Sequence, residues 1–394
     1  MLHNREELYK SMDAQGLDFI IGAMWQNVVY LSDFFSPNQS WLYGTVSLVV
    51  YPRDARKRPI LVLSKSEAEL LTTSPGWVTD ARFYGDAFIS DTGKQDLTAS
   101  DAQLREYLAA PSFDSPVAAA VDACRSLGVK PGDKVGIDEK GVTAPFIEAL
   151  AAALGCKLTY AAAVIGQARL IKTPEEVERL RKAVHITEQA IHATMRKARL
   201  GMTEREMLND YWQELLRRGA QPALSCLGFG SHSAHANAQA TDEIRLCRNQ
   251  PVRFDIGCSY QYYQADTAKI AVVGELDEKQ NRYFAALRDG IARGVALIKP
   301  GATAAQVFQA VMETVCETIP HYRRSHVGHG IGVEIYDPPV ISNADWQFRS
   351  GMVMCVEAPY YEVGRGGLQV EEVVHITETG VELLSERPVE IIRV

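Results

Sequence analysis

Short apolar runs alternate with helical segments over the first 165 residues of the chain. Four of these runs predict β-strands, because each is short and rich in branched apolar side chains; they lie at 17–23, 46–51, 60–64 and 135–138. An alanine-rich stretch at 145–154 predicts a helix. No GxGxxG or P-loop pattern follows a predicted strand, so a nucleotide site is unsupported. The pattern indicates an N-terminal α/β domain with a structural or dimerisation role.

The second part of the chain opens with a strong helix start. Thr173 can cap the free N–H groups, Pro174 suits the first helical position, and Glu176 completes a capping box. Apolar residues then recur at helical spacing, at Val177, Leu180, Val184, Ala190 and Ile191. We expect Gly201 to end this helix and Thr203 to begin another that ends near residue 219.

This helix–Gly–Thr–helix arrangement recurs 100 residues later. In the segments 198–203 and 298–303, one helix ends at a glycine and the next begins at a threonine two residues on. Glu206 and Gln306 close the two capping boxes. Such a pattern is common in proteins, and by itself it leaves a duplication open. Because each helix pair precedes β-rich sequence with acidic residues, we favour two related halves that face a shared site.

Composition and charge narrow the class of protein. With 394 residues, 46% hydrophobic and 23% charged, the chain can form two or three domains with sizeable cores. Its 49 acidic and 41 basic residues give a formal charge of −8, which argues against nucleic acid or an anionic membrane as the main partner. A polar N-terminus, seven scattered cysteines and no apolar run of about 20 residues predict a cytoplasmic protein without membrane contact.

Two aspartates on neighbouring predicted strands are the first candidates for chemistry. Apolar residues alternate at 252, 254 and 256, so Asp255 points away from the apolar face. Residues 257–264 can turn the chain, and Asp266 then returns on an adjacent strand. Two carboxylates placed in this way repel each other unless a cation lies between them. Solvent-exposed acids remain the alternative for this segment alone.

One histidine and two glutamates extend the candidate site. Glycines flank His329, which lets the backbone approach a partner closely and clears space around the imidazole, although such a histidine is more often a turn residue. Glu357 and Glu371 interrupt two predicted buried strands at 352–359 and 367–375. Buried carboxylates are costly unless they are paired or metal-bound.

The combined set of four carboxylates and one imidazole suits divalent metal ions. Its members are Asp255, Asp266, His329, Glu357 and Glu371. Oxygen-rich ligation with one nitrogen fits a pair of ions such as Mn²⁺, Co²⁺, Fe²⁺ or Zn²⁺, and it lacks the thiolates of a structural zinc site. Two ions about 3.5–4 Å apart can hold a bridging hydroxide and polarise a carbonyl.

These motifs resemble those of the pita-bread metallopeptidases, the family of methionine aminopeptidase, aminopeptidase P and prolidase. The spacing of 11 residues between Asp255 and Asp266 is the family's spacing. The other matching segments are 171–176, 328–332, 356–357 and 370–371. The resemblance spans nearly the whole chain, although its N-terminal part rests on length and position.

The resemblance implies an α/β creatinase-like N-terminal domain at 1–165 and an α+β C-terminal pita-bread domain, with pseudo-twofold halves, at 166–394. It also implies a homodimer that acts on a small peptide or small amide. Trp25, Tyr30 and residues 34–37 are candidates for shaping the substrate pocket from the N-terminal domain, although such residues are more often core or loop residues.

The resemblance further implies a role for each ligand. Asp255 would chelate one ion, and His329 with Glu357 the other. Asp266 and Glu371 would bridge both ions. Glu357 would also move a proton between the nucleophilic water and the leaving nitrogen. Mn²⁺ is our first choice of metal, although these ligands tolerate the other three ions.

The resemblance also points to residues that would bind the substrate. His235 lies where the family has a histidine that hydrogen-bonds the substrate, with His232 competing for that role and a solvated loop histidine as the alternative. Tyr336 stands seven residues after His329, where the peptidases carry a second histidine. A tyrosine can donate a hydrogen bond to a developing oxyanion but is a poor base near neutral pH. Lys269 and Gln369 replace two further family arginines.

Three hypotheses follow from these residues. The first is a dinuclear-metal hydrolase that cleaves an amide C–N bond, an Xaa-Pro dipeptidase or aminopeptidase using a metal-bridging hydroxide. The departures at Tyr336 and Gln369 keep a creatinase-like or ectoine-hydrolase-like enzyme, acting on a small non-peptide C–N substrate, as the alternative. A non-catalytic scaffold is the third hypothesis, but such relatives have usually lost metal ligands, and this chain has all five.

Overall fold

The computed structural model describes residues 2–42, 44–73 and 76–394. The chain divides into two compact units, residues 1–169 and 170–394. Within the described ranges, no helix combines the length and the hydropathy needed to cross a bilayer. All seven cysteines are free thiols, and five of them are buried.

The N-terminal unit is a mixed seven-stranded sheet with its helices. Strands β1 to β7 are Phe19–Gly22, Leu48–Pro52, Ile60–Ser64, Ala81–Tyr84, Ser112–Phe113, Val135–Ile137 and Leu158–Tyr160. Helices α1 to α8 are Arg5–Gln15, Trp25–Ser32, Pro37–Trp41, Leu70–Thr73, Ala99–Ala109, Pro116–Ser126, Ala144–Leu154 and Ala162–Leu170. The strand order is β5-β4-β3-β2-β1-β6-β7. Strand β2 pairs with β1 and β3 antiparallel, whereas β6 and β4 pair with their neighbours parallel.

The predicted N-terminal elements correspond to β1, β2, β3, β6 and α7. Strand β1 begins later than predicted because Leu17 belongs to the end of α1, where its N–H donates to the carbonyl of Met12 at 2.9 Å. Tyr30 and Phe34 are almost completely buried, as expected for core residues. The α/β prediction for this part of the chain is confirmed.

The C-terminal unit consists of four helices and two five-stranded sheets among the described residues. Helices α9 to α12 are Pro174–Met195, Glu204–Arg217, Glu278–Leu297 and Ala304–Thr318. Strands β8 to β17 are Gln221–Phe229, Val252–Tyr260, Tyr263–Gln264, Thr267–Val272, Gly328–Gly330, Asp337–Val340, Val353–Glu362, Gly366–Ile376, Val381–Leu383 and Ile392–Arg393. One sheet has the order β10-β9-β11-β17, with β8 also paired to β9, and the other has the order β13-β12-β14-β15-β16.

The C-terminal unit repeats one chain path, which confirms the predicted halves. In each half two helices precede an antiparallel sheet: α9 and α10 precede β8, β9 and β11, and α11 and α12 precede β12, β14 and β15. The same turn follows the first helix of each pair. The Gly201 N–H donates to the carbonyl of Leu246, and the Gly301 N–H donates to that of Phe348, both at 2.9 Å.

Several element boundaries in the C-terminal unit also differ from the predictions. Helix α9 ends at Met195 rather than at Gly201, because hydrogen-bonded turns follow it. Strand β9 continues to Tyr260, and residues 261–262 make the turn with positive φ angles. Strand β14 runs five residues beyond Glu357, so that this acid lies within the strand and not at its end.

Alternation along β15 separates a core from a polar face. Leu368, Val370 and Val374 belong to the apolar core that this strand shares with α11 and α12. Gln369 and Glu371 alternate with them and therefore point to the opposite face of the sheet. The same alternation on β14 separates its core residues from Glu357. The sheet thus presents Glu357 and Glu371 on the face away from these helices, whereas Glu372 lies on the helix side.

Candidate metal centre

Three carboxylates from three strands converge in the C-terminal unit. Asp255 lies on β9, Asp266 directly precedes β11, and Glu371 lies on β15. Their ligand oxygens all lie within 4.8 Å of one another. Asp266 is 3% exposed and Glu371 1%. The structure therefore brings together the two sequence-predicted aspartates and one of the predicted glutamates.

A glycine allows the two aspartates to meet. Strand β11 returns antiparallel to β9, with Ala268 opposite Asp255. A Cβ atom on Gly257 would lie 1.7 Å from the carbonyl oxygen of Ala265, so a side chain is excluded at this crossing. The close approach of the two backbones holds Asp266 beside Asp255.

Strand pairing in the second sheet places the other candidates. Glu357 lies directly opposite Glu371 in the β14–β15 register, and His329 lies opposite Cys355 in the β12–β14 register. The ligand atoms of His329, Cys355 and Glu371 form a second group within 4.8 Å. The His329 Nε2 atom is 3.6 Å from Asp266 Oδ2, which links the two groups. Cys355 is a neighbour that the sequence analysis missed.

Burial makes this cluster of acids costly without a cation. It raises the pKa of Asp255 to about 6, and it raises the pKa values of Asp266 and Glu371 well above their ordinary range, with repulsion among the acids acting in the same direction. Asp266 Oδ1 and Glu371 Oε1 are buried without a hydrogen-bond partner among the described residues. Carboxylate oxygens left unpaired at this separation fit divalent ions.

Glu357 has a different environment. Burial raises its pKa, but a hydrogen bond from His326 and the positive charge of Arg324 outweigh that effect, so that the pKa is lowered. The His326 Nε2 atom lies 3.3 Å from Glu357 Oε1, and the Arg324 Nη2 atom lies 3.4 Å from the same oxygen. Neither residue was recognised from the sequence, although His326 stands only three positions before His329.

Tyr336 covers the predicted histidine ligand. Its ring stacks on the imidazole of His329, with centroids 3.6 Å apart and planes at 17°. Its hydroxyl donates to Glu357 Oε1 at 3.4 Å and lies 3.5 Å from His326 Nε2. The position where the family carries a second histidine is therefore occupied by a phenol, while an imidazole reaches the same acid from residue 326.

A buried arginine compensates for one departure from the family pattern. Arg253 is fully buried, and it donates to Asp255 Oδ2 at 2.8 Å and to Gln369 Oε1 at 3.0 Å. It also donates to the backbone carbonyls of residues 233, 235 and 236 at 2.6–3.0 Å. Arg253 thus brings a guanidinium to Gln369, the position where the family has its arginine. Arg253 stands two residues before Asp255 on β9, so strand alternation places both side chains on one face. This spacing was the signal in the sequence that could have identified Arg253.

The remaining predicted positions lie outside the cluster of acids. His232 Nδ1 is 2.8 Å from the buried Glu204 Oε1, and its ring lies 4.8 Å from that of His235. His235 is exposed, and neither histidine is among the described residues that line the cavity. Lys269 lies away from the centre, in a buried ion pair with Glu188 at 2.9 Å.

A cavity of about 220 Å³ opens onto the acids. Besides Asp255, Asp266, Glu357 and Glu371, its lining includes Arg324, His326 and Tyr336. Sites for drug-sized ligands occupy about 300–1,000 Å³, so this cavity suits a small substrate.

Comparison with known proteins supplies two family matches. The family model described as metallopeptidase family M24 matches residues 178–378 of this chain, which is more than half of its length. The model described as the creatinase/prolidase N-terminal domain matches residues 5–171.

Individual relatives agree with these matches. The chain is 33% identical over 227 residues to an Xaa-Pro dipeptidase of Pyrococcus furiosus and 30% identical over 233 residues to one of Pyrococcus horikoshii. These alignments cover 57% and 58% of this chain, and 65% and 66% of the relatives. The crystal structure of the prolidase from Pyrococcus horikoshii OT3 superposes with a TM-score of 0.76 at 23% identity, covering 98% of this chain and 99% of the other. The predicted fold class is confirmed.

Proposed function

We propose that this chain, which belongs to metallopeptidase family M24, is a hydrolase that uses two divalent ions to cleave the amide bond of Xaa-Pro dipeptides. The observation that carries the proposal is the convergence of Asp255, Asp266 and Glu371 within 4.8 Å, with buried oxygens that need a cation. The Xaa-Pro dipeptidases that align with the chain support the choice of substrate.

The five predicted ligands would divide between the two ions. Asp255 would hold one ion, His329 and Glu357 would hold the other, and Asp266 and Glu371 would contribute to holding both. When bound, the ions polarise the scissile carbonyl and lower the pKa of the attacking water. We propose Mn²⁺ as the metal, and we expect Co²⁺, Fe²⁺ and Zn²⁺ to replace it, because oxygen-rich sites discriminate weakly among them.

Side chains around the ions would handle the proton and the substrate. The Glu357 carboxylate accepts a proton from the attacking water and returns it to the leaving nitrogen. The Tyr336 hydroxyl donates a hydrogen bond to the carbonyl oxygen as negative charge develops there. For the hydrogen bond to the substrate we propose His235, with His232, which is held by Glu204, as the competing candidate.

The wider setting of the enzyme is also proposed. Residues 1–165 would form the creatinase-like domain and residues 166–394 the catalytic domain, a division supported by the N-terminal family match at 5–171. The protein would act as a cytoplasmic homodimer. Free thiols throughout the chain support a reducing compartment.

One observation favours a second candidate function. At Glu357 the chain presents the Tyr336 hydroxyl, where the peptidases present an imidazole. A different hydrogen-bond donor beside Glu357 can accompany a different leaving group. The alternative is therefore hydrolysis of a small non-peptide C–N bond, of the kind cleaved by creatinase or ectoine hydrolase.

A substrate panel separates these functions. Purified protein is incubated with Xaa-Pro dipeptides, creatine and ectoine, with Mn²⁺ and with a chelator, and its metal content is measured in parallel. Release of proline that the chelator abolishes supports the dipeptidase. Turnover of creatine or ectoine alone favours the alternative. A protein that binds no divalent ion and turns over none of these compounds would instead be a scaffold.

A further inference from the structure

A second cavity lies in the C-terminal unit, apart from the candidate metal centre. It lies between the C-terminal half of α11 and the segment 379–390, which contains β16, and it shares no described lining residue with the cavity at the acids. Its volume is about 750 Å³, within the range of about 300–1,000 Å³ that sites for drug-sized ligands occupy. Its wall is largely apolar, with members from both sides: Ile291, Val295, Val381, Leu383 and Val389. Such a wall suits the apolar body of a small molecule.

One buried carboxylate lines this second cavity. Glu372 is 6% exposed, and it follows Glu371 on β15, so strand alternation turns the two side chains to opposite faces of the sheet. Glu372 Oε2 is buried and has no hydrogen-bond partner among the described residues. The Ser385 hydroxyl lies near this carboxylate and also lines the cavity, and its Oγ atom is likewise buried without a partner. Because buried polar atoms without partners are costly, they point to a ligand that supplies hydrogen bonds.

The buried cation that acts on Glu372 is already engaged. Lys269 attracts Glu372 electrostatically, but its Nζ atom lies 2.9 Å from Glu188 Oε1, and all three side chains are buried. The other oxygen of Glu188 accepts a hydrogen bond from the Glu386 N–H at 2.9 Å. One buried positive charge therefore serves two buried acids. Within the part of the chain that the structure describes, Glu372 is the acid without an ion pair.

The exposed charges at the rim of the cavity nearly cancel one another. Three cations line the rim, and they are Arg288, Lys299 and Arg387. Two acids line it and a third pairs with Arg288 at 2.9 Å, and these are Glu386, Glu390 and Asp289. The charge that stays uncompensated is the buried carboxylate inside, and it favours a cationic group on the ligand.

We propose that this cavity is a second ligand site, and that its ligand is an organic ammonium compound with an apolar body. The ammonium group donates a charge-assisted hydrogen bond to Glu372, and the body packs against the apolar wall. The inference does not depend on the proposed function. Because Glu371 and Glu372 are consecutive on β15, the site lies behind the candidate metal centre, on the other face of the same strand.

Binding of a matched set of probes tests the assignment. The compounds 4-phenylbutylamine, 4-phenylbutanol and 5-phenylpentanoate share one apolar body, and their polar groups are a cation, a neutral hydroxyl and an anion. Each is titrated into the metal-loaded protein by isothermal titration calorimetry. We expect the amine to bind about tenfold more tightly than the alcohol, because a hydrogen bond to a charged group contributes at least that factor. We expect the anion to bind more weakly than the alcohol.

Three variants locate the bound amine. Glu372→Gln removes the buried charge, so it should weaken binding of the amine by about tenfold and leave the affinity for the alcohol unchanged. Ala292→Trp places a large side chain at an exposed position of the cavity wall, and it should abolish binding of both compounds. Glu390→Gln removes an exposed acid of the rim and is the matched control, which should bind like the wild type. The metal content of each variant is measured to show that the centre behind β15 stays loaded.

Four results would overturn the proposal. If the amine binds Glu372→Gln and Ala292→Trp as tightly as the wild type, it binds at another place, such as the acids of the metal centre. If Glu390→Gln weakens binding as much as Glu372→Gln, the attraction comes from surface charge. Tighter binding of 5-phenylpentanoate than of the amine would assign the cavity to anions held by the rim cations. Absence of binding by all three probes would show that the cavity is not a site for ligands of this class.

Discussion

The two halves of the C-terminal unit, residues 174–272 and 278–376, share a chain path but prepare the centre differently. The first half supplies Asp255 and Asp266 and holds its cation, Arg253, with four short hydrogen bonds, while a fifth goes to Gln369 of the second half. The second half supplies the other three predicted ligands, and its cation, Arg324, is held by two long contacts. The guanidinium of Arg253 is therefore held more tightly than that of Arg324.

The same contrast extends to the helix starts. The capping boxes of α9 and α10 are closed by Glu176 and Glu206, whereas those of α11 and α12 are closed by Gln280 and Gln306. Glutamate and glutamine can accept the same backbone hydrogen bond, so the geometry is preserved. Their charge differs, and with it the response of each half to pH. A duplicated fold thus conserves hydrogen bonds while its titratable groups diverge.

The largest effect is expected from removing Asp266, the aspartate that we propose as a ligand of both ions. Asp266→Ala should lose both metal ions and bring turnover below detection, because a bridging carboxylate holds both. Asp255→Ala, which removes a ligand of one ion, should retain the other. Metal content by mass spectrometry together with turnover checks both variants, and Asp242→Ala, at an exposed position, is the control. Full activity of Asp266→Ala would refute the dinuclear centre.

The difference in hydrogen bonding between Arg253 and Arg324 is tested by the free energy of unfolding of two variants. Arg253→Gln should lower the free energy of unfolding of the C-terminal unit by about 3–5 kcal/mol, because it leaves buried acceptors and Asp255 unpaired. Arg324→Gln should change the free energy of unfolding by less than about 1 kcal/mol, because its contacts are long and partly solvated. Urea denaturation measures both. Equal losses in the free energy of unfolding would show that the two guanidinium groups are held equally tightly.

A smaller effect is expected from Tyr336→Phe. The ring stack on His329 persists in this variant, so stability and metal content should not change. Loss of the hydroxyl should lower kcat by about tenfold and alter KM less, if the hydrogen bond forms mainly in the transition state. Steady-state kinetics on the best substrate of the panel decide the matter. An unchanged kcat would make Tyr336 a packing residue.

The smallest effect concerns pH. Burial raises the pKa of Glu176 to about 7 in the folded protein, from an ordinary value of 4.5. The folded state therefore binds this proton more tightly than the unfolded state, and the resulting stability is fully present below pH 4.5 and lost as the pH rises through 7. Glu176→Gln, which makes the first half resemble the second, should remove a decline of about 1–3 kcal/mol between pH 5 and pH 8.

Urea denaturation at several pH values measures that slope. Glu206→Gln is the matched control, since this acid closes the equivalent capping box with a side chain that is 48% exposed. An identical slope in wild type and Glu176→Gln would show that the acid at α9 does not contribute to the pH dependence.

Helices and strands could be predicted because their signals are local, whereas the fold class followed from the resemblance to the pita-bread metallopeptidases. The capping boxes at Thr173 and Thr203 and the spacing of Asp255 and Asp266 are each visible within a short window, and the repeat is a match between two such windows 100 residues apart. Strand alternation also indicated which face Asp255 would occupy. Element ends were less predictable, as at Met195, because turn hydrogen bonds there replace helical ones without a distinctive residue.

The surroundings of the acids could not be predicted in the same way. Arg253 and Gln369 are 116 residues apart in sequence, and their contact depends on the meeting of two sheets. His326 and Arg324 reach Glu357 only because β12 pairs with β14. Such contacts arise from tertiary packing, and no periodicity along the chain encodes them.

The continuous pairing of β14 with β15 constrains how this protein can change its length. Ten residue pairs, from Val353 opposite His375 to Glu362 opposite Gly366, keep Glu357 opposite Glu371. Because side chains alternate every residue, one residue inserted into either strand between the acids and the hairpin tip would turn an acid from the cavity to the core. Insertions and deletions should therefore be tolerated at the exposed tip, around Val363 and Gly364, and excluded from the strands. The β14–β15 hairpin must therefore keep its register between the acids and the tip, whereas the length of the tip itself can vary.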